Sequence, residues 1–95
     1  MSETVESVSK WAHETFGECR PIDALGRAIE EIRELSYAWT NYGDMTDQEL
    51  AEECADVCIT LYRYIYLVDP DAIEKKMTIN RARKWKISNG VGQHI

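Results

Sequence analysis

The chain has little of what would direct it to a membrane, to secretion or to a nucleic acid. No apolar run in its 95 residues is long enough to cross a bilayer, and residues 1–11 lack the apolar segment of a signal peptide. Basic residues number 11 against 17 acidic ones, and the net charge of −6 argues against binding to DNA or to an anionic membrane surface. We therefore expect a cytoplasmic protein with no nucleic-acid or membrane partner.

Cysteine and histidine are also scarce, which limits the metal chemistry. The odd count of three cysteines indicates reduced thiols in a reducing cytoplasm. Cys54 and Cys58 lack the paired spacing of a zinc site, so we expect them to be core residues. Neither histidine, His13 or His94, follows a glutamate by three positions. This excludes the Glu-x-x-His pattern of di-iron helical bundles.

Prolines and glycines are few, and most stand where helices would begin or end. Between them, apolar residues recur at helical spacing. This pattern predicts four helices, over about residues 3–16, 22–42, 47–68 and 70–86, and a loop-like tail at 88–95. Thr46 and Glu49 form a capping box before the third helix. Asp69 and Pro70 offer a cap and a first-turn proline for the fourth.

The predicted fold class is all-α, with a single domain over residues 1–95 built as an antiparallel four-helix bundle. The composition, 44% hydrophobic and 29% charged, is that of a folded globular protein. A chain of this length can build only a modest hydrophobic core. We therefore expect it to form a homo-oligomer, which would bury further apolar surface.

One carboxylate lies in an unexpected place in the third predicted helix. The stretch "AEECADVCITLYRYIYLV", residues 51–68, is mostly apolar, and from Ala55 onward its only charged residues are Asp56 and Arg63. Burying a carboxylate without a partner is very costly. Asp56 therefore needs a group that compensates its charge, and Glu53, three residues earlier on the same helix face, shares that need.

A similar acidic pair stands on the second predicted helix, at Glu31 and Glu34. The spacing of the two pairs allows them to face each other across a helix hairpin. Four carboxylates that close would repel one another strongly unless a cation lay among them. Oxygen ligands select a hard ion, Mg²⁺ or Mn²⁺. An acidic pair on a solvated helix face is the ordinary alternative for each pair taken alone.

The fourth predicted helix carries a concentration of positive charge. The stretch "KKMTINRARKWK", residues 75–86, holds six of the 11 basic residues and no acidic one. Lys76, Asn80 and Arg83 share one stripe at helical spacing, and their side chains are suited to phosphate. Cations are also favoured near the C-terminus of any solvated helix. Acidic helices that hold Mg²⁺, together with a phosphate-binding helix, would make a nucleotide site.

These residues resemble a known family, the MazG-like all-α nucleoside triphosphate pyrophosphatases. The family pattern is Glu-x-x-Glu, a spacer, Glu-x-x-Asp, and then Lys and Asn on a later helix. It is matched here by the segments "EEIRE" (30–34), "EECAD" (52–56) and "KKMTINRARKW" (75–85). The segments "WAHETFG" (11–17), "NRARKW" (80–85) and "NGVGQHI" (89–95) resemble more narrowly the phage-associated dATP/dGTP pyrophosphohydrolase branch, and such a protein would work in the host cytoplasm.

The resemblance implies hydrolysis of a (deoxy)nucleoside triphosphate to the monophosphate and pyrophosphate, with purine preference. In this interpretation Mg²⁺ or Mn²⁺ binds to Glu31, Glu34, Glu53 and Asp56. The water that attacks the α-phosphorus gives its proton to Glu31 or Glu34, between which the sequence does not choose. The phosphates bind to Lys76, Asn80 and Arg83, and the candidates for stacking on the base are Trp39, Trp11 and Phe16. The family is typically a dimer or a dimer of dimers, with sites near the subunit interface.

Two other functions stay open at this point. The same chemistry could act on a pyrimidine substrate, dUTP or dCTP, because the short connection after the third helix leaves little room for loops that select the base. A non-catalytic helical interaction module would carry the same acidic faces as solvated surface. A nucleic-acid binder would depend on residues 75–86 alone, and the overall charge opposes it.

Overall fold

The computed structural model describes residues 2–95, apart from the side chain of Tyr42. The chain forms four α-helices, a short 3₁₀ helix and a β-hairpin. In chain order these are α1 (Val5–Phe16), α2 (Pro21–Thr40), the 3₁₀ helix (Tyr42–Asp44), α3 (Asp47–Val68), α4 (Ala72–Ala82), β1 (Trp85–Ser88) and β2 (Val91–His94). The four helices confirm the predicted all-α class.

Local capping explains where α1 and α3 begin. The Thr46 hydroxyl accepts a hydrogen bond from the backbone N–H of Glu49 at 3.1 Å, and the Glu49 carboxylate accepts one from the backbone N–H of Thr46 at 3.0 Å. This confirms the predicted capping box. Thr4 and Ser7 form an equivalent box at α1. Gly17 ends α1 with a positive φ of 83°, a conformation that glycine adopts at little cost.

The start of α4 differs from the prediction. Asp69 ends α3, and its side chain accepts hydrogen bonds from the backbone N–H of Asp71 at 3.1 Å and from Lys75 Nζ at 3.0 Å. Pro70 therefore lies in the turn, and α4 begins three residues after Asp69. The helix is also shorter than predicted, because Arg83 follows it with an extended backbone.

The predicted loop-like tail is wrong, since residues 85–94 form an antiparallel hairpin. Asn89 and Gly90 make its turn with positive φ angles of 52° and 75°. An Asn-Gly dipeptide between two short strands is a strong hairpin pattern because both residues tolerate these angles. The hairpin is attached to α4 by Trp85, whose Nε1 donates a hydrogen bond to the carbonyl of Asn80 at 2.9 Å.

Helix α3 is the centre of the packed part of the molecule. Helices α1 and α2 both pack against α3, while a cleft separates α1 from α2. The Ser9 hydroxyl on α1 donates to the carbonyl of Tyr62 on α3 at 3.1 Å. Within the described part of the chain, α4 buries no residue and packs along none of the other helices.

The buried face of α2 is built from small residues. Ala24, Ala28 and Ala38 are buried, together with Glu31, and α3 contributes Val57. Alanines allow two helix backbones to approach closely, so the large apolar residues of α2 lie on another face. The large apolar residues that recur at helical spacing on α2 are therefore mostly solvent-accessible in the single chain, and Ile29 and Ile32 are exposed to 42% and 43%.

Two further observations concern the remaining sequence predictions. The prediction that Cys54 and Cys58 are core residues is wrong for the single chain, because both are exposed on α3. All three cysteines are free thiols. Within residues 2–95, none of the helices combines the length and the apolarity that crossing a membrane requires.

Candidate active site

Helices α2 and α3 bring carboxylates from both acidic pairs together. Oxygen atoms of Glu31, Glu34 and Glu53 lie within 4.8 Å of one another. The antiparallel packing of two neighbouring helices causes this convergence, since the Glu-x-x-Glu turn of α2 faces the Glu-x-x-Asp turn of α3. Three carboxylates at such distances repel one another, and a divalent cation among them would compensate the repulsion. All the donors are oxygen, which suits Mg²⁺ or Mn²⁺.

Asp56 lies beside this cluster, although not in the way that the sequence indicates. Its side chain is exposed, so the expectation of a buried aspartate in an apolar stretch is wrong. Asp56 and Glu31 nevertheless line the same cavity, and the negative charge of Asp56 is one of the causes that raise the Glu31 pKa. Asp56 is therefore a neighbour of Glu31 outside the group of three carboxylates, and its role as a fourth metal ligand stays a prediction.

Glu31 is the carboxylate that α2 buries. Its side chain is only 8% exposed, and burial is the main cause that raises its pKa above the ordinary value. The positive charge of Arg27 opposes this shift in the Glu31 pKa, and the Arg27 Nη2 donates a hydrogen bond to Glu31 one helical turn away. Arg27 also donates from Nη1 to Glu30 at 3.2 Å. Glu31 is thus held in place by the Arg27 guanidinium and lies close to other carboxylates.

The cleft between α1 and α2 contains a cavity of about 440 Å³. Its floor is one face of α3, Glu31 and Asp56 lie on its wall, and Trp11 and Phe16 line the side formed by α1. The two aromatic rings meet edge to face, with centroids 5.5 Å apart and planes at 82°. A cavity of this size, with aromatic walls and several charged side chains on its lining, has the properties of a small-molecule site.

The carboxylate cluster also borders a second, smaller cavity. This space of about 250 Å³ lies near the connection between α2 and α3 and is lined by Glu34, Glu53 and Asp44 among others. The four carboxylates therefore stand between two cavities, with Glu31 and Asp56 on the side of the aromatic pair and Glu34 and Glu53 on the other. A ligand that binds to the cluster can extend in either direction.

The structure does not bring every predicted residue to this site. Trp39 lines neither of the two cavities and is 73% exposed. Lys76 and Asn80 stand on α4, which packs along none of the helices that carry the carboxylates. Arg83 no longer shares their helical stripe, because α4 ends at Ala82. The phosphate-binding role of these three residues stays a prediction.

Two arginines at the cleft were not identified as site residues from the sequence. Arg27 and Arg63 both line the cavity between α1 and α2, and Arg63 also lines a cavity of about 620 Å³ that includes Glu14 and Glu18. The spacing of Arg27 and Glu31, four positions apart on one helix, is a pattern that indicates an ion pair. Arg63 is conspicuous as a lone cation in an apolar stretch, but its position at the cleft depends on how α1 and α2 diverge over α3.

Comparison with known proteins places this arrangement in a family. The curated dATP/dGTP diphosphohydrolase of Cyanophage S-2L is 32% identical over 99 aligned positions, which cover all of this chain and 88% of that protein. The chain belongs to the MazG-like pyrophosphohydrolases. No protein-family model matches the chain. A solved structure with the same fold is the Cyanophage S-2L MazG-like pyrophosphohydrolase, with a TM-score of 0.62, 32% identity and 99% coverage of both chains.

The solved structure also bears on the cofactor. That MazG-like enzyme is bound to dGDP and to three catalytic Mn²⁺ ions per active site. The predictions of a pyrophosphohydrolase enzyme and of a hard divalent cofactor are confirmed by this relative together with the acidic cluster described above. Oxygen donors at this spacing on two packed helices fit such ions, and Glu31, Glu34, Glu53 and Asp56 are the residues that would hold them.

Proposed function

We propose that this chain hydrolyses purine deoxynucleoside triphosphates, dGTP or dATP, to the monophosphate and pyrophosphate, with Mg²⁺ or Mn²⁺ as cofactor. The observation that carries the proposal is the cluster of Glu31, Glu34 and Glu53 at one end of a cleft whose wall holds Trp11 and Phe16. A metal-phosphate end and an aromatic end in one cavity match the two halves of a nucleotide. The dGDP and Mn²⁺ in the MazG-like relative support the same substrate class.

In the proposed reaction the carboxylates bind the metal ions, and one of them accepts a proton. The four carboxylates orient the divalent ions, which neutralise charge on the phosphates and on the leaving pyrophosphate. Glu31 or Glu34 accepts the proton of the attacking water. Glu31 is the buried member of this pair and Glu34 is the exposed one, although both belong to the carboxylate cluster.

The base end of the cleft is formed by α1. Trp11 is 51% exposed and Phe16 is 67% exposed, so both present ring surface on which a purine can stack. Stacking of a base on an aromatic ring contributes about 1–3 kcal/mol to binding and tolerates different bases. These two residues therefore explain affinity for a nucleoside, whereas selection among bases requires hydrogen bonds.

The phosphate-binding role of Lys76 and Asn80 requires a second copy of the chain in this proposal. Helix α4 packs along no other described helix, and its Ile73 and Met77 are exposed to 41% and 40%. Together with the exposed isoleucines of α2, these side chains form apolar surface that an oligomer would bury. We propose a homo-oligomer in which α4 of one copy reaches the carboxylates of another.

A product assay tests the proposed function. The protein is incubated with each common dNTP and NTP, with Mg²⁺ or Mn²⁺ and separately with EDTA, and the products are separated by ion exchange. Monophosphate and pyrophosphate from a purine dNTP, lost in EDTA, is the expected result. Diphosphate and phosphate would overturn attack at the α-phosphorus. A faster reaction with dUTP or dCTP would overturn the purine preference, and no turnover of any nucleotide would favour the interaction module.

A further inference from the structure

Arg63 stands at the end of the cleft that is distant from the carboxylates. Asp56 and Arg63 both line the cavity between α1 and α2 and are seven residues apart on α3, which is about 10 Å, or two helical turns, along its axis. The Arg63 Nη2 donates a hydrogen bond to the carbonyl of Gly17, the residue that follows Phe16. The guanidinium is therefore placed beside the aromatic end of the cleft.

The charge of Arg63 has no acidic partner among the described residues. The ion pairs of residues 2–95 involve Lys10, Arg20, Arg27 and Lys75, and Arg63 takes part in none of them. Its side chain is half-buried, and the Gly17 carbonyl occupies one of its several N–H donors. A half-buried cation with free donors at a cavity is suited to a ligand that offers acceptor atoms.

The position of Arg63 decides which part of a nucleotide offers those acceptors. The phosphates belong at the carboxylate end of the cleft, two helical turns from Arg63, if the proposed function is right. The base then lies against the aromatic pair of Trp11 and Phe16, at the end of the cleft where the Arg63 guanidinium stands. Guanine presents two neighbouring acceptors, N7 and O6, which match the planar fork of an arginine, whereas adenine presents N7 next to an amino donor.

We propose that Arg63 is a specificity-determining residue that donates hydrogen bonds to N7 and O6 of a guanine base. The inference rests on the proposed function, because it takes the orientation of the nucleotide from the carboxylate cluster. It goes beyond that function in naming a residue that favours dGTP over dATP. Trp11 and Phe16 would bind either purine, and Arg63 would supply the difference between them.

The test pairs a change in the protein with a change in the substrate. The kcat/KM is measured for dGTP, dATP and 7-deaza-dGTP, in which a C–H group replaces N7, using the parent protein, Arg63→Gln and Arg63→Lys. A good arginine–guanine pair discriminates by roughly tenfold or more. We expect Arg63→Gln to lose that factor on dGTP and much less on dATP. The kcat/KM of the parent should be lower on 7-deaza-dGTP than on dGTP by a similar factor. The kcat/KM of Arg63→Gln should differ little between these two substrates.

Arg63→Lys and Arg33→Gln are the controls. Lysine keeps the charge, and its ammonium can donate to both N7 and O6 of guanine, so we expect Arg63→Lys to retain more of the preference for dGTP over dATP than Arg63→Gln does. Arg33 is exposed on α2 and lines neither the cleft nor the smaller cavity, so Arg33→Gln should retain the parent ratio of dGTP to dATP activity. The substrate series in the parent protein needs no variant, so the proposal can be tested even if Arg63→Gln folds poorly.

Three results would overturn the inference. An equal loss of activity on all three substrates in Arg63→Gln would make Arg63 a phosphate contact or a support for the Gly17 turn. If the loss of Arg63→Gln on 7-deaza-dGTP equals the loss from the substitution plus the loss from removing N7, then N7 has another partner. Undiminished activity of the parent on 7-deaza-dGTP would do the same. In each case the parent still produces pyrophosphate, so the proposed function stands, whereas no turnover by the parent would overturn that function instead.

Discussion

Helices α1–α3 and the segment after Val68 differ in the burial of their polar side chains. The three packed helices bury Glu31 and bring three carboxylates within 4.8 Å, at the end of a cleft with aromatic walls. The later segment, α4 and the hairpin, buries none of its residues and leaves Lys76 in solvent. In the proposed function, one chain supplies the carboxylates of the metal site, whereas α4 of another copy supplies the contacts to the phosphates.

The largest expected effect is the loss of activity when a carboxylate of the first region is neutralised. Glu53→Gln or Asp56→Asn should lower kcat/KM by about a hundredfold or more, because loss of a direct ligand costs at least as much as loss of the groups that orient it. We expect Mn²⁺ to raise the melting temperature of the parent, and the same variants should lose that rise. Glu52→Gln, an adjacent exposed change of the same kind, is the matched control. Full activity in Asp56→Asn would remove it from the metal site.

The division of the site between two copies predicts complementation. Lys76→Ala and Asp56→Asn should each be nearly inactive alone, and refolding them together should restore activity above the sum of the two. Restoration follows because a mixed oligomer contains one site with intact carboxylates and an intact α4. A mixture of Lys76→Ala with Asn80→Ala should not recover, since both changes lie on α4. Equal recovery in the two mixtures, or none in either, would contradict the division.

The cleft predicts that the aromatic residues have unequal roles. Trp11→Ala should raise the KM for dGTP by roughly tenfold, which is the order of effect that loss of one stacking contact has on binding. Trp39→Ala should change it little, because Trp39 lies outside the two cavities that border the carboxylate cluster. Initial rates over a range of dGTP concentrations measure both. The reverse order would make Trp39 the stacking residue and α2 the base side of the site.

The smallest expected effect concerns the stability of the metal-free protein. The raised pKa of Glu31 means that the folded chain keeps a proton at pH values where the unfolded chain has released it. The free energy of unfolding therefore falls as the pH rises from the ordinary value near 4.5 through the raised one. Glu31→Gln should melt a few degrees higher than the parent at neutral pH in EDTA. Glu30→Gln, on the exposed side of Arg27, should show no such gain.

Part of this structure follows from local pattern in the sequence, and that part was predicted well. The capping box of Thr46 and Glu49 depends on residues three positions apart, and α3 begins where the box predicts. The facing of Glu31 and Glu34 toward Glu53 needs only two helices and a short connection, so helical spacing was sufficient to predict it. Such features involve neighbours on one helix or on adjacent helices.

The predictions that failed depend on packing at longer range or on a competing local pattern. Asp56 lies among apolar residues in sequence, but its exposure depends on which faces α1 and α2 cover. Packing at long range also determines that α2 buries Ala24 and Ala28 and leaves its isoleucines exposed. The hairpin is different, because the Asn89–Gly90 turn was present in the sequence. Strand β1 alternates apolar and polar residues over only four positions and β2 does not alternate, so the strand pattern was too short to predict them.

The small-residue contact between α2 and α3 has a consequence for how the chain folds. The two helices follow each other in sequence and pack against each other. Because only a short connection has to close, we expect this helix pair to form within one chain before a second copy is met, and its closure brings the carboxylates together. Their repulsion then acts against folding itself, and a divalent ion that relieves it would accelerate folding. The divalent cofactor of the reaction would thus also increase the rate at which its own binding site folds.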